Sequence, residues 1–559
     1  MPINLGVNHM CSAGQGFYYC PEVFMASYSV AVADWCTNRI IILFTVLLLW
    51  WVIIIILVFK VLKMMSSWVY TYWWKPYSIT KIMAEQGIRG PTPRFFTGNL
   101  GDMTKLREHK AAQDMNAITH DIVDRLMPHY VQWSTVYGKR FIFWWGTEPR
   151  LTISEPELIK ELLSAKHGLS YGKSELQQKG VKNFIGKGLL MANGQDWVNQ
   201  RHIIAPAFHH ENLKGHVVHM VESTACLINK WKKSVEETSG EVEIEVMEHF
   251  MRLAADIIAK TEFGSSYEEG KRVFEKLGLL QKLSSRGGRY SWFPSNGLRK
   301  KRQVVKLKEE VEESLQRVVE SRRESVSMGR STSYGHDLLG LMLAECDKGS
   351  TNFTTQELMD ECKTFFFAGQ DTTSTLLTWT TMLLALHPQW QQRARQEVLS
   401  LCNNRPPNFN TLPHMKIMGM ILNESLRLYT PASLFAKEAF ADMKLGDLFI
   451  PKGLSVWIPV LAIHHDKDIW GEDANEFNPK RFANGTARAC NNNPMGFIPF
   501  SYGPRKCVGQ SFAIMEAKIV LAMIIANFKF HLSPSYRHAP ISVLTLKPRH
   551  GVPIILQPL

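Results

Sequence analysis

Residues Ile40 to Phe59 read IIILFTVLLLWWVIIIILVF, twenty residues in which Thr45 is the one polar side chain and none is charged. At about 1.5 Å per residue the run makes roughly 30 Å of helix, the thickness of a bilayer core. A core helix of that length would carry a polar stripe, and this run has none. A cleaved signal peptide would be shorter, start earlier and end in a small-x-small site. The run predicts one transmembrane helix over residues 40–59. Arg39 is the only Lys or Arg before it, whereas Lys60, Lys63, Lys75, Lys81, Arg89 and Arg94 follow. The positive-inside rule then places the C-terminal bulk in the cytosol. Residues 1–39 read as a luminal tail or as an extension from an early start, since Met25 would also serve. Trp68, Trp73 and Trp74 suit the interfacial belt better than the mid-run Trp50 and Trp51.

Residues 60–94 read as a linker with a hinge at Gly87-Ile88-Arg89-Gly90-Pro91-Thr92-Pro93, where two prolines and two glycines break a helix. Beyond it no second long linker and no repeat occurs, so residues 95–559 read as one large domain. The apolar share of 45% excludes a disordered chain, and nine Cys in 559 residues are too few for a disulfide scaffold. The formal charge is +13. With a membrane helix present, that charge suits an anionic membrane surface and an acidic partner better than a nucleic acid. Arg299-Lys300-Lys301-Arg302 opens a stretch of mixed sign, which reads as a solvated helix face and not a nucleic-acid patch.

Helical signals dominate the domain. Thr354-Thr355-Gln356-Glu357 is a capping box, and Pro388 stops the run that follows. The intervening helix is about 33 residues, or roughly 50 Å. Strand-like pieces are short: Phe449-Ile450-Pro451, Leu454 to Pro459, Ser542 to Leu546 and Val552 to Leu556. The expected fold class is therefore mainly α with small β-sheets.

Chemistry concentrates at Phe500-Ser501-Tyr502-Gly503-Pro504-Arg505-Lys506-Cys507-Val508-Gly509. One Cys sits in a Gly-rich basic loop just before a helix. Glycines allow a tight turn and close approach to a flat ligand. Loop N–H groups and the helix N-terminus stabilise a thiolate. Arg505 can pair with a carboxylate of that ligand. A single thiolate cannot build a structural zinc or Fe–S site, which needs about four ligands, but it can serve as an axial haem ligand. The paired histidines His209-His210 and His464-His465 have no convincing companion ligands and read as non-ligands.

The loop resembles that of the cytochrome P-450 superfamily, and the superfamily's other signatures stand in the expected order. The resemblance covers nearly all of 95–559. It implies the cytochrome P-450 fold, haem b with Cys507 as axial ligand, and haem contacts from Trp197, Arg201, Phe500, Gly503, Arg505 and Gly509. Lys437 stands where relatives usually place a propionate-binding Arg, and offers a point charge instead of a fork. Within Ala368-Gly369-Gln370-Asp371-Thr372-Thr373, small Ala368 and Gly369 are expected to pass close over the haem. A local opening of the helix there would admit dioxygen, with Thr372 and Asp371 guiding protons. Glu424, Arg427 and Arg481 are expected to form the structural triad that locks the Cys loop; Lys480 replaces a frequent acid without disturbing it.

The implied reaction is monooxygenation with O2 and NADPH-derived electrons. Neither a G-x-G-x-x-G fingerprint in a Rossmann context nor a flavin module occurs in the chain. An NADPH-cytochrome P-450 reductase in the same endoplasmic reticulum membrane is therefore the expected partner. Four stretches, GLLMANGQDWVNQRHIIAPAF, MGRSTSYGHDLLGLML, KLGDLFIPKGLSVWIPVLAIHHD and SYRHAPISVLTLKPRHGV, look like one plant clan and are most similar to its cytokinin trans-hydroxylases. Those act on the prenyl side chain of isopentenyladenine nucleotides. Pocket candidates by superfamily position are Phe365, Phe366, Ala368, Gly369, Ala432, Leu434 and Leu544. Lys173, Lys179, Lys182 and Lys187 are available for a substrate phosphate. Hydroxylases of terpenoids, gibberellins or fatty acids remain as the alternative within enzymes. A haem-binding module without turnover is the alternative outside them, although it would have no use for Asp371 and Thr372.

Overall fold

The structure, a computed structural model, describes residues 21–238, 240–264, 267–287, 297–335, 337–348 and 353–559. Residues 1–20 of the expected tail lie outside the described residues, as do the side chains of Arg299 and Lys300. The chain divides into two compact units at Lys75/Pro76.

In the first unit, helix Pro21–Val69 contains the whole apolar run and extends past both of its ends. The run is exposed throughout, from Ile40 at 55% to Phe59 at 68%, as a lipid-facing helix requires. Trp68, Trp73 and Trp74 are also exposed. A π-helical segment, Tyr70–Trp74, and helix Lys75–Glu85 follow. Helix therefore covers most of 60–94. Only the segment with Gly87 at φ 77° and the two prolines leaves it.

The second unit is built on helices. Thr354 caps helix Thr355–Leu386 through a reciprocal capping box with Glu357. Much of this helix is buried on every side, including Leu377, Trp379, Met382 and Leu383, so it runs through the core. Helix Val246–Phe263 packs along it. A Cβ on Gly369 would come within 2.9 Å of Ile258 Cδ1 on that neighbour. Helix Gln510–Asn527 is apolar enough to cross a membrane, but it too is buried core. The basic helix Gly297–Ser327 turns Val311, Leu315 and Val319 inward and leaves Lys301 and Arg302 exposed, an amphipathic surface pattern.

A five-stranded sheet has the order Ile142–Trp145, Glu148–Thr152, Ser455–Ile458, Phe435–Ala439, Tyr171–Gly172. Its second and third strands are parallel, and the other pairs are antiparallel. A three-stranded sheet joins Val242–Glu245, Pro553–Pro558 and Phe528–Leu532. The expected strand Ser542–Leu546 does not form. Leu544 adopts φ 64°, which splits the segment into paired strands Pro540–Val543 and Thr545–Pro548. A left-handed residue cannot continue a strand, and alternating apolar composition does not reveal it.

Candidate active site

The Cys loop is shaped by its neighbours. Gly503 has φ 71°, and a Cβ there would sit 1.9 Å from Leu163 O. Only glycine fits both conditions. Gly509 is different: its φ is ordinary and a Cβ would meet nothing closer than 3.8 Å, so this chain's own packing does not demand a glycine there. The Cys507 N–H donates to Phe500 O at 2.9 Å, closing the loop. Cys507 is solvent-exposed, yet protein packs closely about its side chain. Burial raises its thiol pKa, while the Gly509 N–H and the charge of Arg201 lower it.

Four cations converge beside the loop. Arg505 lies over the Trp197 ring at 4.5 Å and donates from Nη1 to Ala192 O at 3.2 Å. Its Nε and Nη2 are buried without a hydrogen-bond partner. Arg201 Nη1 donates to Lys506 O at 3.1 Å. Lys437 is buried with Nζ 5.5 Å from the Tyr171 ring centre. Burial, then Lys173 and Arg505, push its pKa well below the ordinary lysine value. Lys173 is pushed down to about 8 by burial and by Arg505. Neither lysine forms an ion pair among the described residues. Clustered, partly to fully buried cations that repel one another, with orphaned guanidinium nitrogens, suit a dianionic ligand such as the haem edge. Lys173 thus joins this cluster and leaves the substrate rim. Nothing in its local sequence distinguishes it from Lys182 and Lys187, which are exposed, or from Lys179, which pairs with Glu175.

The side chains at the centre of the long helix meet several different neighbours. Phe365 stacks on Phe208 and Phe366 on Phe274, and both are buried. Gly369 and Gln370 face helix Val246–Phe263, the latter through Gln370 Nε2 to Met251 O at 3.2 Å. Gly369 therefore lets the two helices pack closely. Ala368 and Thr372, one turn apart, are only partly buried and share a face. Asp371 is turned toward the C-terminal hairpin, where it accepts from Thr545 Oγ1 at 2.6 Å and pairs with Lys547.

The expected local opening is not seen; the helix is unbroken from Thr355 to Leu386. Thr372, Ser374, Thr375 and Thr378 each donate to the carbonyl four residues back, Thr372 to Ala368 O at 2.7 Å. Such back-bonding competes with the helix's own ladder but does not break it here. Of the other pocket candidates, Ala432 and Leu544 are half-buried and Leu434 is exposed. Phe367, half-buried and edge-on to Phe184 at 5.6 Å, was not among the expected residues.

Glu424, Arg427 and Arg481 meet. Arg427 forks both Glu424 oxygens at 2.7 Å, and Arg481 Nε lies 3.4 Å from Oε1. Arg427 also donates to the carbonyls of His464, Ala474 and Glu476, and Asn478 N–H donates to Glu424 at 2.9 Å. The triad thus pins the segment that leads into the Cys loop. His464 and His465 serve the same segment: His464 Nε2 accepts from Ile498 N–H, and His465 bridges Asn475 and Leu428 O. His210 packs edge-on to Phe409.

A family model described as Cytochrome P450 matches residues 116–552. Two Arabidopsis thaliana proteins named Cytokinin hydroxylase are 51% identical over 503 residues and 52% identical over 507. Each alignment covers 89% of this chain and 96% of the relative. Cytochrome P450 734A1, also from Arabidopsis thaliana, is 42% identical over 500 residues, covering 86% of this chain and 92% of that protein. These matches run through the helices, the sheet and the Cys loop that build the site, and the chain belongs to the cytochrome P450 family, as a haem-dependent monooxygenase.

Proposed function

We propose that the chain hydroxylates the prenyl side chain of isopentenyladenine-type cytokinins, yielding trans-zeatin forms. The observation that carries this reading is the likeness to two proteins named Cytokinin hydroxylase, which the chain matches over 96% of their length. The family uses haem iron, dioxygen, a reductase and a small-molecule substrate. Haem b and electrons from NADPH are part of the proposal. So is a single-pass anchor in the endoplasmic reticulum membrane with the catalytic unit facing the cytosol, which the exposed helix and its basic C-terminal flank support.

Bound haem supplies dioxygen activation and O–O bond cleavage, promoted by thiolate ligation. Cys507 would supply that thiolate. Trp197, Arg201, Lys437 and Arg505 would hold the carboxylates of the group, and Phe500, Gly503 and Gly509 would shape the loop that receives it. Thr372 spends its hydroxyl proton on Ala368 O, which leaves its lone pairs to accept a hydrogen bond from the reacting side. Asp371, behind it on the same helix, helps relay protons from the hairpin side.

Membranes carrying the full chain and a reductase should convert isopentenyladenosine phosphates to trans-zeatin forms. Running the free base and nucleoside in parallel locates the phosphate requirement. No zeatin product, with turnover of a terpenoid, gibberellin or fatty acid instead, would overturn the cytokinin reading.

A further inference from the structure

Asp371 is gripped from outside its own helix. Thr545 Oγ1 donates to Oδ2 at 2.6 Å, and Lys547 Nζ forms an ion pair with Oδ1. The Asp371 side chain is 2% exposed and that of Lys547 17%. No other ion pair to Asp371 occurs among the described residues. The residue between the two grips is fixed as well. Leu546 O accepts from Trp379 Nε1 at 2.8 Å, and Leu546 N–H donates to Pro431 O at 3.1 Å. Closing the hairpin needs none of these bonds, since its strands pair Val543 with Thr545 and Ile541 with Lys547.

Three successive residues of one strand are thus tied to the long helix or to the loop after helix Lys416–Leu428. Two of them end on the single carboxylate beside Thr372. A buried carboxylate needs partners, and a charged donor plus a hydroxyl, one on each oxygen, fix its rotamer.

We propose that Thr545 and Lys547 are positioning residues for proton delivery, holding the Asp371 carboxylate in one orientation. This rests on the reading that Asp371 relays protons. Productive turnover takes R–H, O2, two electrons and two protons to R–OH and water. When delivery fails, the same O2, electrons and protons leave as hydrogen peroxide and R–H is unchanged. The reductase supplies the electrons in both cases. The grip therefore acts on the partition between product and peroxide.

The test uses full-length protein in membranes with reductase, reading product per NADPH, peroxide release and the solvent deuterium isotope effect on turnover. Lys547→Met should lower product per NADPH several-fold, raise peroxide correspondingly and enlarge the isotope effect. Lys547→Arg should restore most of the coupling, because it returns the charge. Thr545→Val keeps the volume and should give a smaller shift in the same direction; it decides the matter if Lys547→Met yields no folded protein. Asp371→Asn separates the two levels. If Asp371→Asn uncouples the enzyme while both Lys547→Met and Thr545→Val behave as wild type, the positioning proposal is wrong. If Asp371→Asn itself leaves coupling unchanged, the relay reading fails and takes the proposal with it.

Discussion

The guanidinium of Arg505 rests over the ring of Trp197 at 4.5 Å, with two of its nitrogens buried and unpartnered. The ring face stabilises the cation, and the Ala192 carbonyl takes one N–H, but neither neutralises the charge. A carboxylate of a bound group would. Arg505→Met should therefore weaken haem retention. Loss of hydrogen bonds to a charged group is worth about 1.5–3 kcal/mol, or roughly 10- to 100-fold in affinity. The haem-to-protein ratio after dilution and gel filtration measures it, and Arg505→Lys should fall between wild type and Arg505→Met.

Thr372 sits one turn after Ala368 and donates to its carbonyl at 2.7 Å. Thr372→Ala removes the hydroxyl without removing a core contact, since the side chain is only half-buried. Haem content should stay at wild-type level while electrons from NADPH are diverted to peroxide. Unchanged coupling would count against a role in oxygen activation.

Glu424 and Arg427 are both fully buried and paired bidentately. Removing one partner strands the other charge, at a cost of roughly 3–5 kcal/mol. Glu424→Ala or Arg427→Ala should yield little folded protein, and what folds should melt many degrees lower by calorimetry. Lys480→Glu alters an exposed side chain next to the triad and should leave the melting temperature nearly unchanged.

Gly503 combines a left-handed φ with contact against Leu163 O. Gly503→Ala must move either the loop or the helix Pro156–Leu163 that ends there. The expected result is loss of the red-shifted carbon-monoxide band of a thiolate-ligated haem, or its conversion to the band of a protonated thiol. Gly509→Ala should be tolerated far better by the fold.

Burial lowers six histidines in the fold: His120, His129 and His464 to about 3, and His216, His465 and His538 to about 4. An unfolded imidazole takes its proton near pH 6.5. The unfolded chain therefore binds more protons below about pH 6.5, and stability falls with pH from there toward 4. Buried Glu262, Glu361 and Glu516 act in the opposite sense: burial raises all three, Glu361 to about 8. Their contribution declines as pH rises from about 4.5 toward 8. The two trends cross to give maximal stability near pH 6–7. Melting temperatures from pH 4.5 to 8.5 should trace that maximum, and a curve rising steadily toward acid would contradict it.

The membrane run, the capping box at Thr354, the Glu424–Arg427 pair and the Cys507 loop were all legible in the sequence. Each lies within one short segment, where residue spacing and turn chemistry decide the local structure and i,i+3 or i,i+4 neighbours meet whatever the rest of the chain does. The family likeness rested on the Cys507 loop, the Glu424–Arg427 pair and other short segments of this kind. What the tertiary structure alone decided were the directions of side chains and their distant partners. Phe365 and Phe366 read like pocket residues, and the fold supplied their stacking partners, Phe208 and Phe274, from distant segments. Gly369 read like an opening over the haem, and Ile258 fills the space beside it. Lys173 turned inward to Arg505 while its neighbouring lysines stayed in solvent. Asp371 found Thr545 at a separation of 174 residues. No local pattern encodes such a meeting. It follows from the packing of the C-terminal hairpin against the long helix, which a side chain's own segment does not determine.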